Sequence, residues 1–541
     1  MDHQIPSHLQ AKAWLLALLI FLPIIILGGM KIIVIGYKMK KMKKLPPEVP
    51  GAWPIIGHLL MLDRVKNVPF ARTLAAMTHK NGPIFTIRMG MFPYLVVSNW
   101  EAAKDCFTTH DKDFAARPTS LAGKYTAYGY ARFSHANYGP YYCHVRKLVM
   151  QQALSRTRLD KMKRLRICEV ESSIKHLLSS TQLKENNNTS EIMPSTKVNM
   201  TQWLEILSLN IIVKMVCGKR YDNVEEDEEA QCLKRVFKDI MYVAGQIILY
   251  DAVPFPLFKY VDFQGHVKVM KRIHKDIDVV LQIWLDDHIK KAEIGKHDEN
   301  QDVIDALLSA TDYDEFKAYG YSQQTVIKAT VMAIILDGAD TTAVQWTWLM
   351  SLLLNNPNVM RRAQEEIHIK VGKDKWIEES DVQDLAYLQA IIKEALRLYP
   401  PAPLLVPHEA VKDCKILGYD VPKGTRLFVN AWKIHRDPRI WPDPERFMPE
   451  RFFTDDQEKI NACGQSQHFD FIPFGSGRRL CPGMNFATLV TLLTFARLLQ
   501  GFDISTPCDM PVDMTEGLGI NMPKATTLEV LITPRLPSMM Y

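Results

Sequence analysis

A lone cysteine closes a glycine-rich turn near the C-terminal end of this 541-residue chain, and the run that follows it is too apolar to lie outside a core. The stretch reads Phe474-Gly475-Ser476-Gly477-Arg478-Arg479-Leu480-Cys481-Pro482-Gly483. Gly475 and Gly477 permit backbone angles that other residues avoid, so a tight loop can form and its N–H groups can approach a bound group closely. Pro482 suits the first position of a helix, and Met484 to Leu499 is apolar enough to be that helix. A thiolate among N–H donors and beside Arg479 would have a lowered pKa, which a metal ligand needs. Taken alone, a cysteine in a glycine turn is more often an inert buried thiol.

No low-complexity linker or internal repeat divides the main body, so one large body is the simplest organisation. With 47% hydrophobic and 23% charged residues the chain can bury a sizeable core. The nine cysteines are scattered and never spaced as C-x-x-C, which argues against a disulfide framework and against a zinc site. The body is therefore expected to face the cytosol, where the sequons at Asn187, Asn188 and Asn199 would stay unmodified. A net charge of +6 is modest for this length and comes with no nucleic-acid motif, so no nucleic-acid partner is expected.

The N-terminus reads as a membrane anchor. Ala13 to Met30 is uninterruptedly apolar, and Ile32 to Tyr37 extends the run past Lys31. That length suffices to span a bilayer, and Lys31 can snorkel. Lys38, Lys40, Lys41, Lys43 and Lys44 follow, a cluster that favours the cytosolic side. The apolar stretch is too long for a cleaved signal peptide, and no small-residue cleavage site precedes the lysines. Leu45 to Gly57 carries prolines at a density that stops a helix and makes a stiff spacer. These features divide the chain into an N-terminal transmembrane helix over residues 1–37, a polybasic stop and proline-rich hinge over 38–57, and the main body over 58–541.

Within the body, Ile84–Met89 and Tyr94–Ser98 read as short strands, and strands return near Leu427–Val429 and Leu528–Thr533. Helical periodicity covers Val170–Leu178, Val279–Glu293 and Val359–Val371. The longest helix is predicted from an N-cap at Ser322 to about Asn355, where Asn356-Pro357 stops it. The fold class is mainly α with small β-sheets. Inside the long helix lies Asp337-Gly338-Ala339-Asp340-Thr341-Thr342, a glycine and two acids that are costly in an apolar helix. Asp337 and Thr341 are one turn apart and share a face, with Asp340 close to it. Acid and hydroxyl side by side suit proton delivery; the bland alternative is a polar interruption, with the threonine bonded back to a carbonyl four residues earlier. Farther on, Glu394 and Arg397 form an i,i+3 pair, and Pro449-Glu450-Arg451-Phe452 supplies another arginine.

Phe474, Gly477, Arg479, Cys481 and Gly483 stand at the spacing of the haem loop of cytochrome P-450 enzymes, and the resemblance runs from the hinge to the C-terminal strands. It implies the cytochrome P-450 fold, and haem b with Cys481 as the axial thiolate ligand of its iron. It implies Asp340 and Thr341 as the acid–alcohol pair of the distal helix, and Glu394, Arg397 and Arg451 as a buried ionic triad. Phe474 belongs to the haem loop, and Arg479, Arg146, Tyr142 and His435 are expected to serve the haem propionates, Tyr142 standing where the family usually has tryptophan. Leu404, Leu405 and Val406 are expected to line the substrate pocket. Asp337 occupies a position where the family usually has a small residue; it either meets a structural partner or solvent, or binds a cationic amine in the substrate.

The proline-rich segment resembles the hinge of microsomal members, which places the body on the endoplasmic reticulum. Phe114-Ala115-Ala116-Arg117-Pro118 and Val49-Pro50-Gly51 resemble plant sequences, and Gly372-Lys373-Asp374-Lys375-Trp376-Ile377-Glu378-Glu379-Ser380-Asp381 with Asp337-Gly338 are similar to the plant group that contains nicotine demethylases and benzylisoquinoline-alkaloid hydroxylases. The resemblance then implies a monooxygenase that uses O₂ to hydroxylate a small lipophilic plant metabolite, an alkaloid of the benzylisoquinoline type first, a terpenoid or phenolic otherwise. The chain has neither a convincing dinucleotide fingerprint nor a flavin domain, so its electrons are expected from a separate NADPH–cytochrome P-450 reductase, with Lys147 and Arg478 among the docking charges. A haem-thiolate isomerase or dehydratase, or a haem sensor, would have no use for Asp340-Thr341.

Overall fold

In this computed structural model the described residues are 44–182, 196–221, 226–255, 258, 262, 264–294, 301–312, 314–452 and 468–541. The anchor predicted over residues 1–37 and all but Lys44 of the lysine cluster lie outside them. The helices that position the site are α1 (Pro140–Val149), α2 (Lys163–Gln182), α3 (Met200–Cys217), α4 (His266–Glu293), α5 (Gln323–Asn355), α6 (Pro357–Val371), α7 (Ala386–Leu398) and α8 (Met484–Gly501). α5 starts where the sequence placed it, with the Ser322 side chain accepting the Thr325 N–H. α8 starts two residues later than a proline-first helix would: Gly483 is its N-cap, so Pro482 stands in the loop.

Strands β1 (Ile84–Met89), β2 (Phe92–Val97), β3 (Thr196–Asn199), β4 (His408–Glu409), β5 (Cys414–Ile416), β6 (Tyr419–Val421), β7 (Arg426–Val429), β8 (Phe502–Ser505) and β9 (Glu529–Pro534) form small sheets at the edge of the helical body. Their orders are β1-β2-β7-β4, β3-β9-β8 and the hairpin β5-β6. β1 and β2 pair antiparallel with Ile84 opposite Val97, and β2 runs parallel to β7 with Tyr94 opposite Arg426.

The proline-rich segment is not a free spacer. Val49 N–H donates to Thr86 O at 3.0 Å, Thr86 N–H donates to Pro47 O at 2.8 Å, and Glu48 pairs with Arg88 at 2.8 Å. The fully buried His58 ring then bridges Val49 O and the Arg88 N–H. Pro47–Val49 and Gly57 are thus paired with β1, because a proline-bearing segment can still pair along an edge, so this part of the expected hinge packs against the body.

α5 crosses the middle of the molecule against α3, and both are mainly buried. α3 is long and apolar enough to cross a membrane, yet 72% of it is buried in the fold, which is the signature of a core helix. Gly338 permits the crossing: a Cβ there would stand 2.8 Å from Ile212 Cδ1 of α3. Ser208 Oγ of α3 donates to Ala339 O at 2.8 Å.

Candidate active site

The cysteine loop is braced from behind. Glu394 and Arg397 of α7 are fully buried, with Arg397 Nε and Nη2 donating to the two carboxylate oxygens at 2.7 and 2.8 Å. Arg451 Nε adds a bond to Glu394 Oε1 at 3.3 Å, so the expected triad is formed. The other donors of Arg397 go to His435 O and Pro444 O, each at 2.8 Å. Leaving neither charge without partners is what makes such burial tolerable.

The His435 ring is fully buried, and Nε2 accepts the Ile472 N–H at 2.9 Å. Burial, helped by Arg397 and Arg436, draws its pKa down to about 3. The neutral ring ties the segment entering the cysteine loop to the triad, and its proton sits on a buried Nδ1 that has no hydrogen-bond partner, a donor left for the expected carboxylate.

In the loop itself, Cys481 N–H donates to Phe474 O at 3.1 Å. Gly475 and Gly477 have φ of 71° and 67°, and a Cβ on Gly477 would collide with the Asp111 carboxylate, so both glycines are required for the turn. Arg146 Nη2 donates to Leu480 O at 2.7 Å. The buried Tyr142 accepts from Arg146 Nη1 at 3.1 Å and donates to Arg478 O at 3.0 Å. Tyr142 therefore spends its proton on the loop backbone instead of on a propionate. Arg478, one of the expected docking charges, is held by Asp111 at 3.2 Å and by the Tyr138 hydroxyl at 2.8 Å. The Cys481 thiol is pushed above its ordinary pKa by burial, with the Gly483 N–H and Arg146 pulling the other way and Asp337 adding to the rise. The lowering expected from Arg479 does not occur, because that guanidinium turns to backbone carbonyls. Deprotonation must then accompany metal binding, as thiolate ligation generally requires.

Those carbonyls reveal the haem cradle. Arg479 donates to Ala115 O at 2.8 Å and to Phe133 O at 3.3 Å, and Arg117 donates to Val406 O at 2.8 Å and Pro407 O at 2.7 Å. Both guanidiniums meet only neutral acceptors in these bonds. Burial and the nearby Arg479 pull Arg117 down to about 9, and His408 is pulled well below its usual value by burial and then by Arg117. Nδ1 of His408 lies 2.7 Å from Phe114 O. Two half-buried guanidiniums that spend these hydrogen bonds on neutral carbonyls make a site for an anion, and a group carrying two propionates fits it. Arg117 and Arg479 would hold the propionates and Cys481 the iron; His408, whose Nδ1 proton faces Phe114 O, would join them once the propionates bring a proton to Nε2. Sequence reasoning missed Arg117 and His408, although Arg117 lies in Phe114–Pro118 and His408 directly follows the Leu404–Pro407 stretch.

α5 forms the opposite wall. Thr341 Oγ1 donates to Asp337 O at 2.6 Å, the back-bond to the preceding turn. Asp340 accepts from Asn521 Nδ2, which comes from the segment before β9. Burial raises the Asp340 pKa, and the Asn521 donor pulls it partway back. Glu205 of α3 is raised as well, first by burial and then by Asp340. Asp340 therefore sits half-buried in a polar group that favours its protonated form, while Thr341 lies one residue away on the helix. Asp337 is ion-paired with Arg132, from the segment before α1. The carboxylate already has a counter-charge, which favours the structural-partner alternative for Asp337 over amine binding.

Of the three residues expected to line the substrate pocket, Leu404 lies half-buried against the apolar cluster that contains Val49, Leu74 and Phe85, and Leu405 is buried in the cluster of Phe107, Phe114 and Phe469 at φ 54°. Val406 alone of the three is exposed, at 48%.

The cytochrome P-450 family model matches residues 46–529. A nicotine N-demethylase of Nicotiana tomentosiformis is 50% identical over 93% of this chain and 95% of its own length. A vinorine hydroxylase of Rauvolfia serpentina is 44% identical over 92% of both chains, and a xanthotoxin 5-hydroxylase of Arabidopsis thaliana is 42% identical over 96% and 98%. A zebrafish cytochrome P-450 solved with progesterone superposes with a TM-score of 0.71, at 25% identity, over 86% of this chain and all of that one. A cysteine loop facing an acid–alcohol helix across a cationic cradle, together with these likenesses, establishes that the chain belongs to the cytochrome P-450 family, as a haem-thiolate monooxygenase that takes NADPH electrons from a separate reductase.

Proposed function

We propose that this monooxygenase hydroxylates or oxidatively demethylates a small plant alkaloid, the benzylisoquinoline type being the first class to test, at the cytosolic face of the endoplasmic reticulum. The observation that carries the reading is the 50% identity to a nicotine N-demethylase over 93% of the chain, joined by the likeness to a vinorine hydroxylase. The xanthotoxin 5-hydroxylase among the relatives supports the second reading, a phenolic or terpenoid substrate. The membrane location rests on the apolar run Ala13–Met30 and the lysines after it.

Bound haem supplies the activation of O₂. The work of this chain is to hold the thiolate at Cys481, to neutralise the propionates at Arg117, Arg479 and His408, and to bring protons along Asp340 and Thr341. A carboxyl whose pKa is raised by burial takes up a proton more readily than a free one and can pass it to a neighbouring hydroxyl. The exposed Lys147 lies on the same helix as Arg146 and contributes positive charge for a reductase on the Cys481 side.

The test is turnover in microsomes that contain the full chain and a plant reductase, with alkaloid, terpenoid and phenolic panels read by mass spectrometry. An oxidised product that requires both NADPH and reductase is expected from an alkaloid; products confined to the other panels would overturn the substrate reading. Deleting residues 1–37 should release the protein from membranes only partly and leave haem binding intact. A haem-free product would show that the anchor belongs to the fold.

A further inference from the structure

Asp337 and Arg132 are 205 residues apart in sequence and meet across the pocket, one on α5 and one on the segment before α1. Their environments differ. The Arg132 side chain is only 5% exposed, whereas that of Asp337 is 47% exposed, one helical turn before Thr341. Arg132 Nε is buried and has no hydrogen-bond partner, so this guanidinium depends on Asp337 for its charge compensation.

The segment that carries Arg132 is held in place. Tyr128, Gly129 and Tyr130 stand consecutively at φ of 50°, 63° and 71°, a run that persists only where the surroundings hold it. They are held by Tyr128 OH donating to Asp278 at 2.8 Å, Tyr130 OH to Ser120 O at 2.8 Å, and Tyr321 OH to Gly129 O at 2.9 Å. Arg132 N–H itself donates to Ala127 O at 3.1 Å. A cation entering the pocket could take Asp337 only by leaving a buried guanidinium bare on a segment that cannot swing it into water.

We propose that Arg132 and Asp337 act as one specificity unit, a charge-neutral pair set into the pocket wall that turns away cationic ligands and admits neutral ones. The inference rests on the monooxygenase pocket described above and narrows its substrate: the molecule enters without a positive charge, so any nitrogen it carries is unprotonated or non-basic when bound.

Three aryl ligands test this on the haem-loaded full-length protein by equilibrium dialysis: one with a trimethylammonium group, its isostere with a tert-butyl group, and the corresponding carboxylate. None of these needs turnover, so the result stands whether or not the alkaloid reading survives. Wild type should prefer the tert-butyl ligand. Arg132→Met, which bares Asp337, should tighten the trimethylammonium ligand about tenfold, and Asp337→Ala, which bares Arg132, should tighten the carboxylate by about as much. The double variant should return to the wild-type order, since neither charge remains. Arg132→Lys keeps the charge, should keep the wild-type preference, and serves if the methionine variant loses haem. The proposal is overturned if Arg132→Met gains nothing for the cation, or if the double variant binds the cation more weakly than wild type, since Asp337 would then itself be the amine site.

Discussion

Behind the cysteine loop, Glu394 and Arg397 are wholly buried and every strong donor has a protein acceptor, either a carboxylate or a backbone carbonyl. In front of it, Asp337 is half exposed and leans on one arginine, and Asp340, half-buried, shares a polar group with Asn521 and Glu205. The rear is a closed network that fixes a shape. The front keeps polar groups whose charges are only partly settled, which is what proton transfer and ligand choice need. The difference teaches where substitutions should act: changes behind the loop should cost folding and haem retention, and changes in front should cost coupling and selectivity while the fold survives.

The largest effect expected is at the junction of the two regions. Cys481→Ser replaces a thiolate with a weak neutral ligand, so the reduced carbon-monoxide adduct should lose the red-shifted Soret band entirely. Retention of that band at full haem content would remove Cys481 from the ligand position.

Glu394→Ala tests the rear. It strands Arg397 without its carboxylate in the interior, a change that costs about 3–5 kcal/mol in comparable pairs. Denaturant unfolding should show that loss together with poor haem incorporation, and a stable haem-replete variant would break the contrast between the regions.

In front, Thr341→Ala should leave haem content unchanged. NADPH consumption should continue while product per NADPH falls by on the order of ten- to a hundredfold and hydrogen peroxide rises, within what a positioned proton-transfer group contributes. Unchanged coupling would sink the relay role.

Two pH experiments sharpen the comparison further. Buried and pulled down to about 3, His435 binds fewer protons in the folded protein than in the unfolded chain. Its contribution to stability is therefore intact above the ordinary histidine value and is lost as pH falls from there toward 3. His435→Gln keeps an acceptor for the Ile472 N–H and cannot titrate, so it should flatten the acid limb of stability by about 2 kcal/mol at pH 5. Asp340 titrates with the opposite sign. Removing its donor with Asn521→Ala should raise its pKa further, so the ionisation limb of product coupling should move to higher pH. A limb that stays in place would separate Asp340 from the coupling step.

Short-range chemistry was legible from the residues in order. The helix cap at Ser322, the stop at Asn356-Pro357, the β1–β2 pair and the glycine turn before Cys481 are decided by neighbours within a few positions, and all four stand in the structure. The Glu394–Arg397 pair was readable for the same reason, as an i,i+3 contact on one helix. Its complete burial was supplied by the family resemblance and then by the packing around it, because helical spacing says nothing about what covers a face.

What periodicity could not show was which distant groups meet. Arg132 reaches Asp337 over 205 residues, and Asn521 reaches Asp340 over 181. Overlooking Arg117 and His408 has a physical cause: a lone histidine or arginine has the same local pattern whether it braces a core or faces a ligand. The amino-acid order alone determined the turns, the caps, the apolar faces and the thiol at Cys481. Only the tertiary structure decided which charges stand bare and which are paired, because a charge's partner is set by where the packed helices bring it, and that information is not local.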